Sequence, residues 1–156
     1  MPAKTGGEKV VTTNRKAYHD YFVEEEIEAG VVLHGSEIKS IRQGRVNLRD
    51  AYARIENGEL WLVGAHISPY EHSGTYFNHE PDRPRKLLIH HRELDYLRNK
   101  VEASGYTLVP VRMVLRNGRA KVDIALAKGK KLYDKRAALA ERDAKRTIER
   151  ELRERG

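Results

Sequence analysis

The clearest pattern along this chain is a pair of β-prone runs, each broken by Asn-Gly. Ala51–Ile55 and Leu60–Ile67 flank Glu56-Asn57-Gly58-Glu59, and Thr107–Leu115 and Ala120–Ala127 flank Arg116-Asn117-Gly118-Arg119. Asn-Gly supplies the two positive φ angles of a tight type I′ turn, so each unit predicts a β-hairpin. In the second return strand Val122, Ile124 and Leu126 fall on one side. Pro110 removes a ladder donor and predicts an edge or a bulge. Tyr18 to Leu33 places aromatic and β-branched residues around Glu24-Glu25-Glu26, which predicts a further long strand, irregular near Gly30. The period changes to three and four in two places. Gly35–Gly44 predicts a short helix with Ser36 as N-cap and Gly44 just past its end, Ile38 and Ile41 facing inward and Lys39 and Arg42 sharing another face. Leu94, Leu97 and Val101 predict a second helix over Arg92–Glu102, stopped by Ser104-Gly105.

Two hairpins, one long strand and two short helices fit a mainly β fold, an OB-like closed barrel with inserted helices. Residues 1–13, with Gly6-Gly7 and few large apolar groups, predict a flexible arm, and residues 14–128 the barrel. Residues 129–156 form a basic tail of different character. Ala140, Ala144, Ile148 and Leu152 recur every four residues in a charged segment, and Glu141–Lys145, Glu149–Arg153 and Glu151–Arg155 have i,i+4 spacing. So narrow an apolar stripe cannot hold a helix on a core. The tail is expected to be disordered when free and helical on a partner.

Charge then narrows the partner. The chain of 156 residues carries a formal net charge of +7 with a pI near 9.6, which favours a polyanion, nucleic acid ahead of an acidic membrane. The absence of cysteine excludes disulfides, zinc ribbons and thiol catalysis. No apolar run approaches the roughly 20 residues that span a bilayer, and Met1–Lys9 has no signal-like core, so the expectation is a cytoplasmic protein with no membrane partner. The seven histidines show no zinc spacing, and there is no Walker loop, GxSxG elbow or GxGxxG fingerprint. No motif gathers Glu24, Glu25, Glu26, Asp50, Asp82 and Asp123 into a nuclease centre. The expectation is a binding module, not an enzyme, with no metal and no cofactor; an RNA-modifying enzyme is the second class.

Candidate RNA contacts are the Asn14-Arg15-Lys16 cluster, the Lys39 and Arg42 face, and the Ser68–Arg85 loop. That loop interleaves Tyr70, Tyr76, Phe77, Asn78 and His79 with Arg83, Arg85 and the following Lys86. Gly129-Lys130-Lys131-Leu132-Tyr133-Asp134-Lys135-Arg136 sets four cations and a tyrosine around one acid, side chains that neutralise phosphates and stack on an unpaired base.

Several of these stretches, in this order, resemble the SsrA-binding protein (small protein B) family. They are Asn14-Arg15-Lys16-Ala17, Tyr21 to Gly30, Gly35 to Arg42, Arg85-Lys86-Leu87-Leu88-Ile89 and Gly129 to Arg136. The resemblance implies an OB-type barrel that binds the tRNA-like domain of transfer-messenger RNA (tmRNA). It carries Asn14, Glu28 and Leu88 to that surface, with Arg85 and Lys86 as electrostatic neighbours; Leu88 reads equally as a core residue. It implies a tail that enters the decoding centre and empty mRNA channel of a stalled small ribosomal subunit, with Asp134, Lys135 and Arg136 matching the tail motif. Tyr133 holds a ring-bearing position, and Ile148 and Leu152 lie in the less certain distal half. Elongation factor Tu is an implied partner in the tmRNA complex. The alternative is a general structured-RNA- or ribosome-binding OB protein without tmRNA specificity.

Overall fold

The structure, a computed structural model, describes residues 8–71 and 78–130. Nine strands and three helices follow in the order β1 (Glu8–Thr13), α1 (Arg15–Asp20), β2 (Tyr21–Val31), α2 (Gly35–Arg42), β3 (Val46–Asn47), β4 (Tyr52–Glu56), β5 (Glu59–Val63), β6 (His66–Ile67), β7 (Arg85–Leu88), α3 (His91–Ser104), β8 (Thr107–Arg116) and β9 (Arg119–Gly129). The neighbours β8-β4-β5-β7-β2-β9 close through a β8–β9 pairing into a ring, and β1 adds to β8 from outside it. Closure removes the open edges of the ring itself, leaving β1 as the outer strand. The mainly β, barrel-like expectation therefore holds.

Both Asn-Gly turns form as predicted. Asn57 and Gly58 have φ of 53° and 72°, and Asn117 and Gly118 have 52° and 78°. The strands then bend by bulges. In β8 the register shifts between Pro110 and Arg112, so Leu108 on one side of the bulge and Met113 and Leu115 on the other all reach the main core. In β2 the shift falls between Val23 and Glu25, not near Gly30 as expected. It turns Ile27, Ala29 and Val31 inward while Tyr21 and Val23 pack outside with Ala17, Val109, Val111, Ala125 and Ala127. A one-residue slip flips every later side chain, which is how one strand serves two apolar clusters.

Four further expectations change. Glu8–Thr13, read as part of an arm, pair with β8 from Glu8↔Arg116 to Thr13↔Arg112. The start of the predicted long strand is instead α1, a six-residue helix whose Ala17 is buried against the outer cluster. The N-cap of α2 is His34, not Ser36; Glu37 Oε1 accepts the His34 N–H at 2.7 Å. α3 runs longer than predicted and ends at Gly105 in the left-handed conformation (φ 69°).

Candidate nucleic-acid interface

Asn14, expected at an RNA surface, is 5% exposed. Its Oδ1 accepts the Ala17 N–H and caps α1, while its Nδ2 donates to Leu48 O at 3.0 Å and Pro110 O at 2.9 Å. Both amide protons are engaged inside the protein and the carbonyl caps α1, so Asn14 has no donor left for a base. Asn14 ties α1, the Leu48 loop and the β8 bulge together.

Arg85 is corrected in the same way. It is fully buried, donating from Nε to Glu37 Oε2 at 2.7 Å and from Nη1 to Ala65 O at 2.6 Å. Arg83 closes on the other carboxylate oxygen of Glu37. Burial pushes the Glu37 carboxyl up, but hydrogen bonds from Arg83, the His34 N–H and Arg85 outweigh it and hold the group below its ordinary range. Burial likewise lowers Arg85 despite Glu37. Nearby, His79 Nε2 donates to Ile67 O at 2.8 Å, so Nδ1 accepts from the Ser36 hydroxyl at 2.8 Å. Asn78 bonds Tyr70 through both backbone groups at 3.0 and 2.8 Å. The aromatic-and-cation loop is thus partly a clasp: Asn78 closes it on itself at Tyr70, and His79 and Arg85 tie it to Ser36, Ile67, Glu37 and Ala65. Tyr76 and Phe77 lie outside the described residues.

The exposed chemistry is on the outer face of β1, β8, β9 and β2. Glu28 and Asp123 are cross-strand partners, an arrangement of like charges that needs cations. Arg116 supplies one, reaching Glu28 at 2.7 Å and Glu8 at 2.9 Å; Arg112 supplies the other, reaching Asp123 at 2.7 Å and Glu26 at 2.8 Å. Both guanidinium pKa values are raised, Arg116 first by its bond to Glu8 and Arg112 first by its bond to Asp123. The acidic run Glu24-Glu25-Glu26 accepts phenol hydrogens from Tyr106, Tyr96 (2.6 Å) and Tyr18 (2.7 Å). Among the described residues no group of His, Asp and Glu is arranged to hold a metal.

Two residues along β2 from Glu28, Gly30 pairs with Leu88 on one side and Lys121 on the other. A shallow groove of about 380 Å³ opens here, lined by Leu88, Gly30, His34, Arg119 and Lys121 among others. Leu88 is 53% exposed, a large apolar side chain that nothing within the barrel requires to face water. The Lys121 ammonium stands 3.6 Å from where a Gly30 Cβ would be, beside Leu88. An apolar side chain flanked by cations, with the carboxylate of Glu28 nearby, can pack on a ribose or base edge, neutralise phosphates and accept a hydrogen bond. Sequence reading missed Lys121 and Arg119, although Lys121 falls on the outward side of the alternation in β9, opposite Val122, Ile124 and Leu126.

The model of the SmpB protein family matches residues 11–154. An SsrA-binding protein of Roseiflexus castenholzii is 64% identical over 155 residues, covering 99% of this chain and 98% of the relative. That of Desulfitobacterium hafniense is 60% identical over 150 residues, 96% of each. A solved chain described as “tmRNA-SmpB: a journey to the center of the bacterial ribosome” is 48% identical, with a TM-score of 0.65 over 78% of this chain and 84% of that one. This chain belongs to the SmpB family.

Within this SmpB-family barrel the residues singled out from sequence separate into groups. Glu28 and Leu88 share the outer face; Asn14 and Arg85 are buried structural residues. Lys86 is partly exposed and pairs with Glu59 at 3.6 Å on β5. Lys39 lies over the Tyr70 ring, 5.4 Å from its centre, and Arg42 is exposed on the same helix. Arg15 is exposed, and Lys16 bonds Asp50 at 2.7 Å. Gly129 ends β9, and Lys130 donates to Tyr18 O at 3.0 Å with its ammonium 5.4 Å from the centre of the Phe22 ring. Lys131, Leu132, Tyr133, Asp134, Lys135, Arg136, Ile148 and Leu152 lie outside the described residues.

Proposed function

We propose that this chain binds the tRNA-like domain of tmRNA with its barrel and brings that RNA to stalled ribosomes for trans-translation. The tail occupies the decoding centre and the empty mRNA channel. The observation that carries the barrel's part is the groove beside Glu28: exposed Leu88, flanked by Lys121 and Arg119, on a rigid closed sheet. Support for the choice of RNA comes from relatives carrying the name SsrA-binding protein and from the similar solved chain described as tmRNA-SmpB. The tail's part is supported by its family motif, Asp134-Lys135-Arg136, and by a composition that binds phosphates but buries little. The protein acts by binding alone, without catalysing a reaction, and works in the cytoplasm, where elongation factor Tu joins the same complex. No described helix is long and apolar enough to cross a membrane.

Two RNA surfaces predict separable defects. Leu88→Asn or Glu28→Arg weakens tmRNA binding. Alanine at Asp134, Lys135 and Arg136 leaves tmRNA binding intact and blocks the first peptidyl transfer to tmRNA in a reconstituted rescue reaction. Equal loss of both activities in both sets of variants would contradict the division.

A further inference from the structure

We propose that Arg116 is a positioning residue for RNA selection: anchored by Glu8 of β1, it holds the Glu28 carboxylate in place as an acceptor that favours tmRNA over bulk tRNA. This rests on the reading above that Glu28 meets tmRNA, and it gives β1, the strand outside the ring, a part in recognition.

Arg116 stands on β8 and Glu28 on β2, with β9 between them. Its Nη2 donates to Glu8 Oε1 at 2.9 Å, and its Nη1 lies 3.0 Å from Glu28 Oε1 and 2.7 Å from Oε2. Glu8 is also the cross-strand neighbour of Arg116, so the guanidinium is tied at one end and reaches over β9 with the other. A surface ion pair is usually weak, because water screens it and two long side chains lose freedom. Here the Arg116, Glu28 and Glu8 side chains are only 35%, 33% and 20% exposed, and one planar fork serves both acids, which reduces each penalty.

The far side of Glu28 shows why it needs a holder. Its partner on β9 is Asp123, and like charges directly opposite repel. Arg112 is already committed, through Nε to Asp123 at 2.7 Å and through Nη2 to Glu26 at 2.8 Å. Glu28 is left to Arg116. A single guanidinium nitrogen at Glu28 leaves the carboxylate further acceptor capacity for the RNA. An acceptor with a fixed direction discriminates between RNA donors, whereas a phosphate contact positions any RNA alike. Arg116 therefore governs selectivity more than overall RNA affinity.

The test measures binding of labelled tmRNA and labelled tRNA to the full-length chain at one near-physiological salt concentration. Arg116→Met is expected to weaken tmRNA binding about tenfold and tRNA binding by about twofold or less. In the Glu28→Gln background the same substitution should change tmRNA binding by no more than about twofold, because the residue it acts through is gone. Glu8→Gln removes a negative charge, which by itself favours any RNA. Loss of the anchor predicts the opposite for tmRNA, binding weaker by about threefold, while tRNA binding holds or tightens. Retained tRNA binding also shows that each variant is folded. A loss from Arg116→Met that persists in the Glu28→Gln background, or that falls equally on tmRNA and tRNA, would overturn the proposal, and so would unchanged tmRNA binding. Failure of the underlying reading shows separately, as tmRNA binding that Glu28→Gln alone leaves at the parent level.

Discussion

Asn14 and Leu88 reached this structure with the same expected role, and the fold gives them opposite surroundings. Asn14, polar, is buried with both amide protons and its carbonyl bonded inside the protein; Leu88, apolar, is exposed beside Lys121. The same inversion separates Arg85, sealed against Glu37, from Arg116, which bridges Glu8 and Glu28 at the surface. Residue type alone does not say which side chains meet a partner. An amide whose donors are both spent inside the fold offers a partner little, whereas a large apolar group turned to solvent is a surface that a partner can cover. The buried polar residues tie elements of the barrel together, and the exposed ones make up the surface proposed to meet RNA.

The largest effect should come from splitting the buried pair. Arg85→Met leaves the buried Glu37 carboxylate with only Arg83 and the His34 N–H and should cost about 3 kcal/mol in chemical denaturation. A loss near zero would mean that water reaches Glu37. The pair also sets an acid limit. Because the folded-state pKa of Glu37 is depressed, its contribution is complete above the ordinary carboxylate range and is lost as pH falls below about 4, through the folded value. Glu37→Gln should remove that part of the pH dependence while lowering stability at neutral pH.

Asn14→Ala comes next. It removes a helix cap and the side-chain donor to the Leu48 and Pro110 carbonyls, of which Leu48 keeps the Ala51 N–H, a destabilisation of about 2 kcal/mol. Its tmRNA affinity per folded molecule, measured where the variant is fully folded, should match the parent. A clear affinity loss at full folding would return Asn14 to the RNA surface. Leu88→Asn should invert this result: stability within about 0.5 kcal/mol of the parent and tmRNA binding weaker by about tenfold. The smallest change is expected for Lys86→Ala. Its partly exposed pair with Glu59 at 3.6 Å contributes at most about 1 kcal/mol, so melting should barely move.

The parts of the fold legible in sequence were those that a short segment decides by itself. Asn57-Gly58 and Asn117-Gly118 adopt positive φ at little cost and set two hairpins; Leu94, Leu97 and Val101 mark α3; Gly105 ends it. Pro110 announced the β8 bulge. Features set by distant contacts were not legible. α1 holds only six residues, ends in the aromatics of β2, and depends on the Asn14 cap and the packing of Ala17. β1 is a strand because β8 offers it an edge, which nothing in Lys9-Val10-Val11 announces. Arg83 and Arg85 looked like phosphate contacts because their acid lies far back in the chain, at Glu37. Of the interface, Glu28 and Leu88 were named through family resemblance, while Lys121 and Arg119 emerged only once β9 was paired beside Gly30.

The most direct test of the barrel's role is competition binding at near-physiological salt, with labelled tmRNA, excess tRNA, and the parent and Leu88→Asn chains side by side. Salt must be fixed because a protein with a net charge of +7 binds many RNAs when screening is weak. The account predicts that the parent holds tmRNA against a large tRNA excess and that Leu88→Asn, equally folded, is displaced. Displacement of the parent by tRNA, or retention by both chains, would contradict a selective RNA surface at Leu88.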